Sequence, residues 1–378
     1  MSTWKKKSIL ASIVFGASVL LVSTPGLSAD QPKILVVYPY LGDQSFVRMH
    51  AASVAEAAKF PEVKIDIVAG PDRTNVEYFI SSINKAVTEH YNVLVLNHGG
   101  AAAQLYPALR KVQDQGIKVV AFDTGLPELA GHSADVLYDN YAAAKVAGAL
   151  FASLLPEGGK IGILRCLLGN PDTDAFVNGF KEAIKDTKLT VAAEADSKCD
   201  PAQSRTMAEN MLTANPDLVG IYDSVDVSAQ GSLQALKAAH SKAILGSIGG
   251  QMYGAQAIAA GTNWKFTVPY RFEEIGKIAV DTGVSVAKGE SVPAKVVIPP
   301  SEPVTPENAA QYVKDLKARL GRLSRIRRRA KWGPAPSPLL SENGDQADVT
   351  CQLAVKVRSP ARNETPQRLM TGLVNIGG

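Results

Sequence analysis

The sequence has 378 residues, 46% hydrophobic and 20% charged, which excludes a disordered or fibrous chain and leaves room for two domains. Its three cysteines are too few for a disulfide-built scaffold. The formal charge of +4 sits in the two ends: Lys5, Lys6 and Lys7 carry +3 and residues 319–378 carry +7, so the body between them stands at −6 and nucleic acid is excluded as its partner.

Residues 1–29 have the form of a cleavable export signal. Lys5 to Lys7 give the positive start, Ile9 to Val22 the apolar run and Gly26 to Ala29 the small-residue end. The apolar run is shorter than the roughly 20 residues that a membrane span needs. No cysteine follows it to carry a lipid anchor. A soluble exported protein is expected, which in bacteria means the periplasm.

From residue 33 onward short β-branched runs alternate with alanine-rich stretches of helical period. The runs 34–37, 64–68, 93–96, 118–122, 160–164, 190–193, 218–222, 243–248 and 265–268 are, apart from 64–68 with its Lys64 and Asp66, mostly apolar rather than alternating. That is the pattern of parallel strands covered by helices on both faces. Between them, "FVRMHAASVAEAAKF" and "DAFVNGFKEAIKD" place apolar residues three and four apart, the stripe of an amphipathic helix. Strand and helix in turn predict an α/β fold of βαβ units. The alternation is longer than one such sheet holds, and its spacing breaks near Gly131 to Asn140, which predicts two doubly wound parallel-sheet lobes. Ligands of such sheets bind beyond the carboxyl ends of the strands. The aromatic stretch "YPYLGDQSF" follows the first strand at one of those ends.

No enzyme motif is present. "GSIGGQMYG" lacks G-x-G-x-x-G spacing, "PEGGKIG" lacks that of a P-loop, and neither H-E-x-x-H nor G-x-S-x-G occurs. The five histidines are scattered. No catalytic residue, metal or cofactor is expected. Cys166 ends one strand of the second lobe and Cys199 follows the next, so a Cys166–Cys199 disulfide at the cleft rim stands beside the alternative of two separate thiols. Beyond residue 318 an arginine cluster gives way to Pro, Ser and Asn without apolar period, the composition of a basic disordered tail over 319–378.

The signal, the two βα lobes, and the runs "GIKVVAFDTG" and "VLYDNYAAAKVAGALF" resemble the ribose-binding-protein-like, type I periplasmic solute-binding proteins. The resemblance implies a three-crossing hinge, with residues 30–133 and 270–297 in the N-terminal lobe and 134–269 and 298–318 in the C-terminal lobe. It implies a monomer that closes on a sugar-like or other small polar solute and delivers it to an inner-membrane ABC permease. By position, Asp43, Phe46, Asn97 and Asp123 match the family's first-lobe site, with Thr124 where ribose binders carry an arginine. In the second lobe Phe176 and Asp226 stand in matching loops, but Ile248 and Tyr270 replace an aspartate and a glutamine, a poor set for a polyol whose hydroxyls need partners. "YPYLGDQSF" and "PVTPEN" also resemble the periplasmic protein that senses trimethylamine oxide for a membrane histidine kinase. That resemblance implies a sensing role, with Tyr38, Tyr40, Phe46, Tyr222 and Tyr270 as a cage for a methylated cation.

Overall fold

Strands and helices follow one another from Lys33 to Arg329 in the computed structural model, which describes residues 31–73 and 75–329. The expected export signal and residues 330–378 lie outside the described residues. The chain runs β1 (Lys33–Tyr38), α1 (Gln44–Ala57), β2 (Lys64–Ala69), α2 (Val76–Thr88), β3 (Val93–Leu96), α3 (Ala102–Asp114), β4 (Lys118–Asp123) and β5 (Ala134–Tyr138). It continues with α4 (Asn140–Leu154), β6 (Gly159–Arg165), α5 (Pro171–Ile184), β7 (Leu189–Asp196), α6 (Pro201–Ala214) and β8 (Leu218–Asp223). Then come α7 (Asp226–Ala238), β9 (Ile244–Gly249), α8 (Met252–Ala259), β10 (Trp264–Pro269), α9 (Phe272–Ala287), β11 (Lys295–Ile298) and α10 (Ala309–Arg329).

These strands form two parallel sheets, in the order β11-β5-β4-β3-β1-β2 and β10-β9-β8-β6-β7. Successive side chains of a strand face opposite sides. In β1, Ile34, Val36 and Tyr38 join Met49, Ile275 and Ala279 in one core, while Leu35 and Val37 join Phe79, Ile83 and Leu109 in the other. Both faces of the strand are therefore dry, which is why its sequence reads as an unbroken apolar run.

Two strands escape the sequence reading and move the lobe boundary. β5 pairs with β4, Val120 against Ala134 and Asp123 against Leu137, and β11 pairs with β5, Ile298 against Tyr138. Residues 134–138 and Ile298 thus belong to the first sheet, not to the second lobe as expected. β5 carries a buried Asp135, and β11 is a four-residue edge strand with Val297 half exposed, so neither shows the apolar signature of its neighbours.

The chain passes between the sheets three times: at Asp139, at Tyr270–Arg271, and between β11 and α10. The crossings are tied together. The Tyr138 hydroxyl donates to the Pro269 carbonyl at 3.0 Å, and Val304 bridges to Thr267. The second correction concerns the tail. Residues 319–329, expected to be disordered, continue α10. Leu316 is fully buried and the Arg319 guanidinium lies 5.8 Å from the Tyr312 ring centre. Arginine is a good helix former, so the anchored helix propagates through the cluster.

Candidate functional site

A cavity of about 140 Å³ opens between the carboxyl ends of the two sheets. The first lobe contributes the β1–α1 loop, Arg73 after β2, and Asp123 and Thr124 at the end of β4. The second contributes Asn140, Cys166, Cys199, Thr173, Phe176, the stretch Val225 to Val227, Ile248 and Gln251. Tyr270 and Phe272 line it at the second crossing.

Asp43 ends the entry loop as the N-cap of α1, its Oδ1 accepting the Ser45 amide at 2.7 Å. That cap starts the helix, from whose first two turns Phe46 and Met49 reach the cavity. The Arg73 guanidinium lies 5.8 Å from the Phe46 ring centre, a cation over an aromatic face.

Asp123 is the polar centre of the first lobe. Its backbone is left-handed, with φ 69°, a conformation that Asp tolerates better than most residues but that surrounding structure must hold. Asn97 donates to one carboxylate oxygen at 3.1 Å and the Tyr270 hydroxyl to the other at 3.0 Å. Asn97 is itself fixed by the Gly99 amide at 3.0 Å. Burial pushes the Asp123 carboxyl above its ordinary range, against the pull of those two donors.

The second lobe holds its polar groups differently. Asp226 is 1% exposed, and both its oxygens are engaged: Ser247 and Thr267 donate to Oδ1 at 2.6 Å each, and the Gln251 amide to Oδ2 at 2.8 Å. Gly249 allows this packing, since a Cβ there would meet the Asp226 Cγ at 2.6 Å. The Thr173 hydroxyl donates to the carbonyls of Leu167 and Asn170. Cys166 and Cys199 are disulfide-bonded with Cα atoms 4.7 Å apart, joining the ends of β6 and β7 at the cavity wall.

Polar contacts cross between the lobes beside the cavity. Gln251 donates to the Ser45 hydroxyl at 2.9 Å, and the Met252 amide to the Gln44 side chain at 3.1 Å. Arg48, 2% exposed, pairs with Glu273 through two bonds of 2.8 Å and donates to the Gly250 carbonyl of the second lobe at 3.2 Å. The Tyr312 hydroxyl donates to the same carbonyl at 2.7 Å.

Of the residues expected at the site, Asp43, Phe46, Asp123, Phe176, Asp226 and Tyr270 line the cavity. Tyr38, Tyr40, Asn97 and Tyr222 are not among its lining residues. Asn97 stands behind Asp123, and Tyr40 packs on Phe46 with ring centres 5.2 Å apart. Tyr38 lies in the first core, where Ser53 donates to the Gly276 carbonyl and accepts from the Tyr38 hydroxyl at 2.7 Å. Tyr222 is stacked on Phe180 with ring centres 3.9 Å apart, and its hydroxyl donates to the Phe176 carbonyl at 3.2 Å. The five-membered aromatic cage is therefore not assembled: Tyr38 and Tyr222 face the cores because they belong to the bodies of β1 and β8. Sequence reasoning missed Arg73, Gln251 and Phe272. Arg73 follows the carboxyl end of a strand, so the rule that found Asp123 also applied to it.

Comparison with known proteins gives a consistent result. The periplasmic binding protein domain family matches residues 34–291. The ribose import binding protein RbsB of Haemophilus influenzae is 25% identical over 296 residues, covering 78% of this chain and 97% of that protein. The solute-binding protein of an ABC transporter from Mycobacterium smegmatis, solved with bound glycerol, superposes with a TM-score of 0.66 at 25% identity, covering 74% of this chain and 96% of that one. A periplasmic ribose ABC transporter protein from Conexibacter woesei superposes with a TM-score of 0.69 at 21% identity, covering 76% and 97%.

Proposed function

Since this chain belongs to the periplasmic binding protein domain family, a family of solute carriers rather than enzymes, we propose that it captures a sugar-like small solute between its lobes and delivers it to an ABC importer. The observation that carries the reading is the pairing of Asp123 and Phe46 on one wall of the cavity with Phe176 on the other. A sugar ring offers hydroxyls at its edge and C–H groups on its faces, so a carboxylate and flanking aromatic rings answer both. Asn97 and Tyr270 hold the Asp123 carboxylate in place before the solute arrives, and that preorganisation lowers the ordering lost on binding.

Closure follows from the same arrangement. First-lobe and second-lobe contacts to one solute exist together only when the lobes meet, so the solute favours the closed form by its differential affinity. Micromolar capture needs only about −8 kcal/mol, within reach of a few charge-assisted hydrogen bonds and ring contacts. The named relatives are import and ABC-transporter binding components, the Conexibacter one periplasmic, and residues 1–29 have the form of a signal that would send this chain to that compartment.

The test is calorimetric titration of the purified chain with a panel of pentoses, hexoses and polyols, with the melting temperature followed in parallel. Saturable binding with a rise in melting temperature is expected. No binding across the panel would remove the sugar reading.

A further inference from the structure

The two walls of the cavity differ in chemistry. On the first lobe Asp43, Arg73, Asp123 and Thr124 face the cavity, and the Thr124 hydroxyl is buried without a partner among the described residues. On the second lobe, away from Asn140 at the start of α4, the polar side chains that line the cavity are already engaged. Asp226 is held by Ser247, Thr267 and Gln251, Thr173 by two loop carbonyls, and Gln251 by Ser45 across the cleft. Beside Asn140, that lobe presents Phe176, Val225, Val227, Ile248 and the Cys166–Cys199 disulfide, a largely apolar surface.

A hydroxyl pressed against such a surface loses its water and gains nothing in return. A methyl or methylene group in the same place gains the full benefit of burial. We infer that the solute is an amphipathic sugar of the 6-deoxyhexose class, with its hydroxyls on the first lobe and its methyl-bearing side against the second. The inference rests on the sugar-capture reading above and narrows it. The orphan Thr124 hydroxyl supplies an independent reason for placing the polar edge on the first lobe, since a buried hydroxyl without a partner is a position that a ligand oxygen completes.

The experiment uses matched pairs on the purified chain: D-galactose with D-fucose, D-glucose with D-quinovose, and L-mannose with L-rhamnose, with D-ribose alongside. In any pair that binds, the deoxy member is expected to bind roughly tenfold more tightly or better, the penalty of one buried unpaired hydroxyl. Equal or tighter binding of the hydroxylated member, or binding of ribose alone, overturns the inference and leaves sugar capture standing. No binding by any of the seven sugars overturns both. Val227→Asn and Ile248→Asn each place an amide on the apolar wall and are expected to narrow or invert the preference. An unchanged preference in variants that keep their melting transition also overturns it.

Discussion

Asp223 ends β8 immediately before the Ser224–Asp226 turn that reaches the cavity, and its carboxyl is fully buried. Ser204 and Ser232 donate to its Oδ2 at 2.7 Å each, and Ser228 donates to Oδ1. Burial outweighs these hydroxyls and pushes the carboxyl from 3.8 up to about 6. An acid with a raised folded-state pKa binds its proton more tightly when folded. Its stabilising contribution is complete below about pH 4 and is lost as pH rises through about 6. A displacement of about two pH units corresponds to about 3 kcal/mol, at roughly 1.4 kcal/mol per unit. Asp223→Asn keeps the shape and removes the titration, and each serine hydroxyl can rotate to accept from the new amide. Urea unfolding of both proteins at pH 4, 5, 6 and 7 measures the effect. The stability of the variant relative to the parent is expected to rise by about 3 kcal/mol from pH 4 to pH 7, which isolates this group from other carboxyls that titrate in both proteins. A difference that stays constant across that range would refute the assignment of the raised pKa to Asp223.

Asp123→Asn should lower the melting temperature of the unliganded protein only modestly, because the amide oxygen can still accept from Tyr270 while Asn97 loses its acceptor. Calorimetry with the best-bound sugar should show a loss of roughly 10- to 100-fold in affinity, the range of a charge-assisted hydrogen bond. Reducing the Cys166–Cys199 bond frees a connection across 33 residues, and thermal or urea unfolding with and without reductant should register a loss of about 3–4 kcal/mol. Unreduced, denatured protein should show no free thiol from either cysteine. Arg48→Met strands the Glu273 carboxylate inside the first lobe and cuts its bond to Gly250. A destabilisation of about 3 kcal/mol is expected by urea unfolding, partly relieved in the double variant with Glu273→Gln.

The βα order was readable because both cores contact the same strands. Leu94 and Leu96 of β3 serve one core and Val93 and Val95 the other, so every position had to be apolar. β5 and β11 stayed hidden because a strand that carries a buried aspartate or lies at an edge need not obey that rule. The tail was misread at its start because composition alone cannot register that Leu316 and Tyr312 anchor the helix that leads into the arginines.

The candidate site divides along a similar line, and the alternation of a strand explains part of it. Tyr38 shares its parity with Ile34 and Val36, and Tyr222 with Leu218 and Gly220, so a period of two already directs both tyrosines away from the cleft. Asp43, Phe46 and Asp123 escape that parity because they stand at or beyond the strand ends, where the chain turns. Asp226 also stands beyond a strand end, yet its carboxylate is bound by hydroxyls from β9 and β10, residues 21 and 41 positions away in sequence. No local pattern signals such capture. On the proposed reading, a carboxylate turned inward on the second lobe leaves most hydroxyl pairing to the first, so the two lobes would divide the work of selecting a solute into pairing on one side and exclusion of unpaired polar groups on the other.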